Sequence, residues 1–205
     1  MTQVSPDIID LLAGITPGSN LDRVRAQRPE TREQAQQTYL ALFQPKTVDD
    51  ASLVERQAVA GFVAGLHRQA DIYEFYVNPL EEGAAGRWLV EILKAEIGAG
   101  QAVGPYGSFP EGPLSAESQA GPNYRVSDTH REVLGEKLSA AFEHAHLLVF
   151  RPREASPQAL QALLNAGWTT DGVVTLSQLV SFVAFQIRVI AGLSLLSAAS
   201  KRAAA

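Results

Sequence analysis

The 205-residue chain contains no cysteine. Disulfides, thiolate metal sites and any peroxidase mechanism running through a protein thiol are thereby excluded. Cations are also scarce: 17 Lys and Arg stand against 22 Asp and Glu, for a net charge of −5. The concentrated basic surface that nucleic-acid phosphates require is missing, so no nucleic-acid partner is expected. No segment shows sustained β alternation. The opening MTQVSPDIIDLL has no basic stretch leading into an apolar core, which gives the expectation of a cytoplasmic protein. What is abundant is apolar residues, 46% of the chain against 19% charged, the balance of a soluble globular chain. A chain of this length fits one core. The expectation is a single all-α domain over 1–205, with a helical extension at 1–50.

One run is apolar enough to raise the question of a membrane. GVVTLSQLVSFVAFQIRVIAGLSLLSAA, residues 172–199, carries Gln178, Gln186 and Arg188, and polar groups at a bilayer centre are costly. A buried helix at the centre of a helical protein or in a subunit interface fits better, so no membrane association is expected.

Helix punctuation divides the rest. A short helix is expected over 6–13. Thr31-Arg32-Glu33-Gln34 has capping-box spacing and opens a helix to Phe43. A third helix is read over 52–77, stopped by Asn78-Pro79, and a fourth over 81–97, ended by Gly98. Thr129-His130-Arg131-Glu132 is a second capping box, opening a helix to Phe150. Ser156-Pro157 is an N-cap followed by proline at the first helical position, and Gly167 closes that helix. Thr170-Asp171 starts the last and longest one. Between them, residues 98–128 are rich in Gly and Pro and carry Tyr106, Phe109 and Tyr124. A connection this long is either a functional lid or a surface excursion.

Polar side chains cluster on the third helix. At 100° per residue its apolar face is Val59, Val63, Leu66, Ala70, Tyr73 and Val77, while Gly61 and Gly65 on the reverse admit a close neighbour. His67, Asp71 and Glu74 share one ridge, with Arg56 on the same border. A carboxylate beside an imidazole fixes its tautomer and raises its basicity, as a general base requires, so these three are the candidate catalytic residues. The same trio suits a divalent metal, but an i,i+4 His–Asp pair on a wet border is more often a modest stabilising contact. No metal or cofactor is expected. Arg56, Gln69, Tyr73, Tyr76 and Arg188 are the candidate contacts to a small carboxylate-bearing ligand, with the 98–128 loop covering it. Arg188, in a polar seam with Ser177 and Ser181, is expected to be buried against carboxylates such as Glu55 or Glu74. His144 and His146 lie about 200° apart and cap opposite edges of a core face; His130 is a helix-start residue without assigned chemistry.

The run RPREASPQALQALLNAGWTTDGVVTLSQLVSFVAFQIRVIAGL resembles the C-terminal half of the alkylhydroperoxidase D and carboxymuconolactone decarboxylase superfamily, in its peroxidase-related branch. Gly167, Trp168, Arg188, Ala191, Gly192 and Leu193 match, whereas Gln186 and Ile187 depart from the Asn before the Arg. Upstream, LVERQAVAGFVAGLHRQADIYEFY resembles the family's catalytic segment, and FVAGLHR and FVAFQIR pair as a weak internal repeat. The resemblance implies an all-α fold with pseudo-repeated central helices, associated as a homodimer or larger. In active members the segment holds a glutamate, a Cys-x-x-Cys pair and a proton-relaying histidine. Aligned on Glu55-Arg56, those positions become Gln57, Gln69, Ile72 and Tyr76. Shifted by two, they become Glu55, His67, Ala70 and Glu74. Neither register restores a thiol. The resemblance then implies one of two things. The chain is either a divergent member without thiol chemistry, acting as an oligomeric partner of a cysteine-bearing paralogue, or a cysteine-independent decarboxylase or lactone-type enzyme that uses His67 with Asp71 or Glu74 as proton shuttle.

Overall fold

The computed structural model describes residues 6–48, 50–83 and 86–203. Among them the chain is all-α, with no strand: α1 Ile8–Leu12, α2 Asn20–Ala26, α3 Pro29–Phe43, α4 Leu53–Leu66, α5 Ala70–Glu82, α6 Gly86–Ala99, α7 Asp128–Phe150, α8 Pro157–Asn165 and α9 Thr170–Ala203. Contacts group these into two units. One takes its residues from Met1–Lys46 and Phe185–Ala205, the other from Thr47–Ala184.

In the first unit α1 and α2 each pack on α3. Charge pairing ties them, since Arg25 bridges Asp7 at 2.7 Å and also Asp10, and Arg32 reaches Asp22 at 2.9 Å and Asp10. The helix expected from Thr31 begins at Pro29 instead, because proline at the first position presets the helical φ. α2 is an addition to the expected helices; Ser19 caps it by accepting from Asp22 N–H.

In the second unit α4 is central, packed on α5, α6 and α7. A full capping box between Ser52 and Glu55 opens it. Its residues from Ala58 to Ala64 are buried on every side, and Phe62 stacks on Phe142 of α7 with centroids 4.7 Å apart. Burying two such rings contributes on the order of 2–3 kcal/mol each. The glycines have the expected purpose: a methyl on Gly61 would meet Val77 Cγ2 at 2.6 Å and Leu93 Cδ2 at 3.2 Å.

The helix read over 52–77 is in fact two. α4 stops at Leu66, Arg68 has φ 58°, and α5 begins at Ala70. Gln69 N–H bonds Ala64 O at 3.0 Å and Arg68 N–H bonds Gly65 O at 2.9 Å. This pair of bonds is the Schellman ending. The break rotates the buried face of α5 away from that of α4: Ile72, Tyr76, Val77 and Leu80 are the buried residues of α5, while Ala70 is exposed and Tyr73 half-buried. Pro79 lies within the last turns of α5 rather than ending it, and the helix read over 81–97 divides between α5 and α6.

α7 begins two residues earlier than its expected box, capped by Ser127, and kinks at Gly135, where φ is 78°. Ser156 and Pro157 open α8 as expected, and Gly167 at φ 101° closes it in a second Schellman ending. Thr169 then starts α9: its hydroxyl accepts from Gly172 N–H at 3.1 Å while its own N–H donates to Asp50 at 2.8 Å. The Thr169 amide leads the contacts, with Lys137 among them, that hold the Asp50 carboxyl below its usual range. Lys137 also lies 3.2 Å from Glu55 and 4.4 Å over the Trp168 ring. α9 is long and apolar enough over Thr170–Ala199 to cross a membrane by length and composition. In the second unit it buries Val173, Leu176, Leu179, Val180 and Val183.

Candidate functional site

The α4–α5 break makes an open groove of about 310 Å³. Arg68, Gln69 and Tyr73 line one side, Lys94 and Ile97 of α6 the other, and Gly65 the floor. Arg68 stands at the position after the helix cap that usually takes glycine. A left-handed conformation costs an L-residue roughly 1–2 kcal/mol. Gln101 braces it, accepting from Arg68 Nε at 2.9 Å and donating to Gly65 O at 3.0 Å. The 98–128 segment therefore begins by supporting the groove wall.

Gln69 is the N-cap of α5, yet its side chain makes no capping bond. It donates instead to His67 O at 3.4 Å. The Tyr73 hydroxyl oxygen is buried and has no partner among the described residues. Burial pushes the Tyr73 phenol up, against the opposing pull of Lys94. The Lys94 ammonium is raised by its 3.0 Å hydrogen bond to Glu91. The groove thus presents two cations and an amide beside the Tyr73 ring and Ile97.

The other candidate residues separate. His67 is the C-cap of α4, half-buried beside Arg68. Because the chain leaves the helix there, the continuous ridge of His67, Asp71 and Glu74 is not formed, and Asp71 and Glu74 are exposed on α5. Tyr76 is buried, edge-on to Phe75 with centroids 5.1 Å apart. Arg56 is buried in the first turns of α4, donating Nε–H to Ala51 O at 2.9 Å. It borders a gap of about 10 Å³, the room of a single water. Arg188 belongs to the first unit and is exposed, so its expected burial is corrected. Glu55 is taken by Ser52 and Lys137.

A polar centre that sequence reasoning missed is Glu96. It is 2% exposed, and its carboxylate accepts from Tyr124 Oη at 2.5 Å, Ser127 Oγ at 3.0 Å and Ser127 N–H at 3.3 Å, with His130 Nδ1 at 2.5 Å. Burial raises its pKa, but bonds from Tyr124, His130 and Ser127 outweigh that and hold it below the usual carboxylate range. Tyr124 also stacks on His146 at 4.7 Å. Its phenol is strongly raised by burial and by the Glu96 carboxylate. This cluster clasps the end of the long loop to α6. Its signal was present: Glu96 falls on the α6 stripe of Leu89 and Leu93, where a carboxylate must have partners.

Arg151 and Arg153 hold the loop's middle. Arg151 donates to Pro122 O at 3.1 Å, and Arg153 lies 3.8 Å over the Phe109 ring. His144 and His146 are both buried, as core-edge residues. No group of three or more His, Asp or Glu suited to a metal ion occurs among the described residues. Comparison of the chain with protein-family models, with curated proteins and with solved structures finds no match.

Proposed function

We propose that this chain is a thiol-free, cytoplasmic member of the alkylhydroperoxidase D and carboxymuconolactone decarboxylase superfamily, assembled as a dimer or larger homo-oligomer, whose α4–α5 groove binds a small carboxylate. The observation that carries the binding site is Arg68. A strained left-handed arginine is retained at the rim of a groove that it shares with Lys94 and Tyr73, and such strain concentrates at functional sites. Guanidinium recognises carboxylate bidentately, and Lys94 adds a second positive charge. One position of the family register falls in the groove, Gln69, while Ile72 and Tyr76 are buried outside its lining. Aligned on Glu55-Arg56, the missing cysteines fall on Gln69 and Ile72, at the cap and first turn of α5. A helix start is where a thiolate would be stabilised, and a ligand carboxylate is favoured there for the same reason.

Titration calorimetry with benzoate and adipate tests the site. Saturable binding of at least one is expected, weakened tenfold or more in Arg68→Gln with helicity unchanged by circular dichroism. Absence of binding by both acids would sink the assignment.

A second reading keeps chemistry at the groove, because His67 adjoins Arg68 in the chain at its rim. There His67 alone takes and returns a proton at a carbon acid while Arg68 holds the carboxylate, the expected pairing with Asp71 or Glu74 being broken by the helix break. In that case His67→Gln abolishes turnover of a carboxylate substrate and leaves its binding intact.

A further inference from the structure

His130, a helix-start residue in sequence, belongs to the Glu96 clasp and has no part in the carboxylate groove. Its Nδ1 lies 2.5 Å from Glu96 Oε1. Glu96 also accepts from Tyr124 Oη, Ser127 Oγ and Ser127 N–H. Burial opposes its charge, but these bonds keep the carboxyl ionised around neutral pH. An ionised carboxylate only accepts, so the His130 proton sits on Nδ1 and Nε2 of the neutral ring carries the lone pair.

The two ends of this dyad differ in access. Glu96 is 2% exposed, whereas the His130 side chain is 28% exposed. Its Nε2 bonds nothing among the described residues and is not one of the buried polar atoms left without a partner, so solutes reach it. His144 and His146, at 5% and 2% exposed, are out of reach. A buried carboxylate at Nδ1 fixes the tautomer, raises the basicity of the far nitrogen and stabilises the positive charge that forms when that nitrogen bonds an electrophile. The arrangement is that of an oriented imidazole nucleophile.

The surroundings choose the electrophile. A phosphoryl group on Nε2 would add negative charge that needs a free arginine. Arg131 is bonded to Glu136 at 2.7 Å and to Glu143, and Arg125 lies 3.9 Å from Glu143. Exposed carboxylates, Asp128 and Glu132, stand two residues to either side of His130. A neutral acyl group meets neither difficulty. Its donor must carry a leaving group less basic than an alkoxide, as in an aryl ester or an acyl phosphate, because imidazole is expelled in preference to alkoxide.

We propose that His130 is an acyl-acceptor site, taking an acyl group on Nε2 from an activated acyl donor while Glu96 acts as its positioning residue. The Nε2 lone pair forms the C–N bond as the C–O bond breaks, and the leaving group departs with that electron pair. The acylimidazolium keeps its Nδ1 proton on Glu96. Water then adds to the acyl carbon, the C–N bond breaks, the acid is released, and the surplus proton passes to solvent or to the departed oxyanion.

The full chain treated with 4-nitrophenyl acetate tests this. Release of 4-nitrophenolate above the buffer rate is expected, with an acetyl group mapped by mass spectrometry to His130 and removed by neutral hydroxylamine, unlike a lysine amide. His130→Gln should return the release to the buffer rate. Glu96→Gln keeps an oxygen acceptor without the charge, so acetylation should slow about tenfold while ¹⁵N spectra still show the ring proton on Nδ1. Acetylation confined to lysines, a free protein with the His130 proton on Nε2, an undiminished rate in His130→Gln, or faster labelling of His130 by phosphoramidate than by the ester would overturn the proposal. Mapping and spectra of the unsubstituted protein decide it even where neither variant folds.

Discussion

At the scale of single residues, Arg68 and Glu96 both hold positions against a local cost, and each makes a separable prediction. Gly14 and Gly167 occupy the same Schellman position after α1 and α8, with φ of 63° and 101°; among the described residues only α4 uses a side-chain-bearing residue there. Arg68→Gly should relieve roughly 1–2 kcal/mol of left-handed strain and return about 0.5–1 kcal/mol of it as chain entropy. The net expectation is a gain between zero and about 1.5 kcal/mol in urea unfolding, together with loss of carboxylate binding, whereas Arg68→Gln should lose binding without the gain in stability. If Arg68→Gly binds carboxylate as well as the unsubstituted protein, the arginine is not held there for the ligand. Glu96 makes the pH prediction. Its folded pKa is depressed, so its contribution is complete above the unfolded value of about 4.3 and is lost as pH falls through the folded value. The loop of residues 100–127 should gain amide-exchange rate in that acid window ahead of α4. Tyr124→Phe removes a donor to the carboxylate, raises the folded pKa and moves the onset to higher pH. An unchanged onset in that variant would mean the clasp does not tie the loop.

At the scale of elements, close packing makes two glycines behave oppositely. An added methyl at Gly61 meets Val77 and Leu93, side chains that are 2% and 0% exposed and have no room to move. Overpacking of that kind costs about 1–3 kcal/mol. At Gly192, inside α9, the same methyl meets nothing within 4 Å among the described residues, so only helix propensity is left to act. Chemical unfolding should show Gly61→Ala destabilised and Gly192→Ala stabilised by roughly 0.8–1 kcal/mol; the same sign for both would refute the packing account. These elements also show what the sequence makes legible. Helix starts marked by a proline or a hydroxyl are readable because the capping side chain is local, at Ser156-Pro157 as expected and, for the start expected at Thr170-Asp171, one residue earlier with Thr169 as the cap. The all-α class emerges from periodicity over long segments. The break at 67–69 is hidden because its left-handed residue is arginine rather than glycine, and apolar residues continue on both sides of it. That error carries into the site, since His67, Asp71 and Glu74 share a ridge only if the helix is continuous. Gln69 and Tyr73 are nevertheless among the residues expected from sequence, and they line the groove. Lys94 and Gln101 are not, because only the folding of α6 against α4 brings them there.

At the scale of the whole molecule, the absence of cysteine and the character of α9 set the expected behaviour. Peroxide reduction of the dithiol type needs a thiolate to attack and a second thiol to resolve it, and the single Met can do neither. Purified protein supplied with peroxide and a dithiol reductant should therefore consume no reductant beyond the uncatalysed rate. Association is argued from α9. Among its described residues Val174, Phe185, Leu195 and Leu196 are 52%, 41%, 73% and 52% exposed. Scattered apolar residues are ordinary on a surface, but a helix with apolar residues on every side is what a subunit interface demands. The chain's net charge of −5 opposes association, so raised salt should favour the assembled form if charge is the main obstacle. Light scattering at micromolar concentration should give a mass at least twice that of one chain, and Leu195→Glu with Leu196→Glu should reduce it to one. A single-chain mass for the unsubstituted protein at both low and high salt would leave the exposed face of α9 as ordinary surface. The double substitution also locates the contact: an assembly that survives two buried carboxylates at Leu195 and Leu196 cannot be using that turn, because unpaired charges in an interface core are strongly unfavourable.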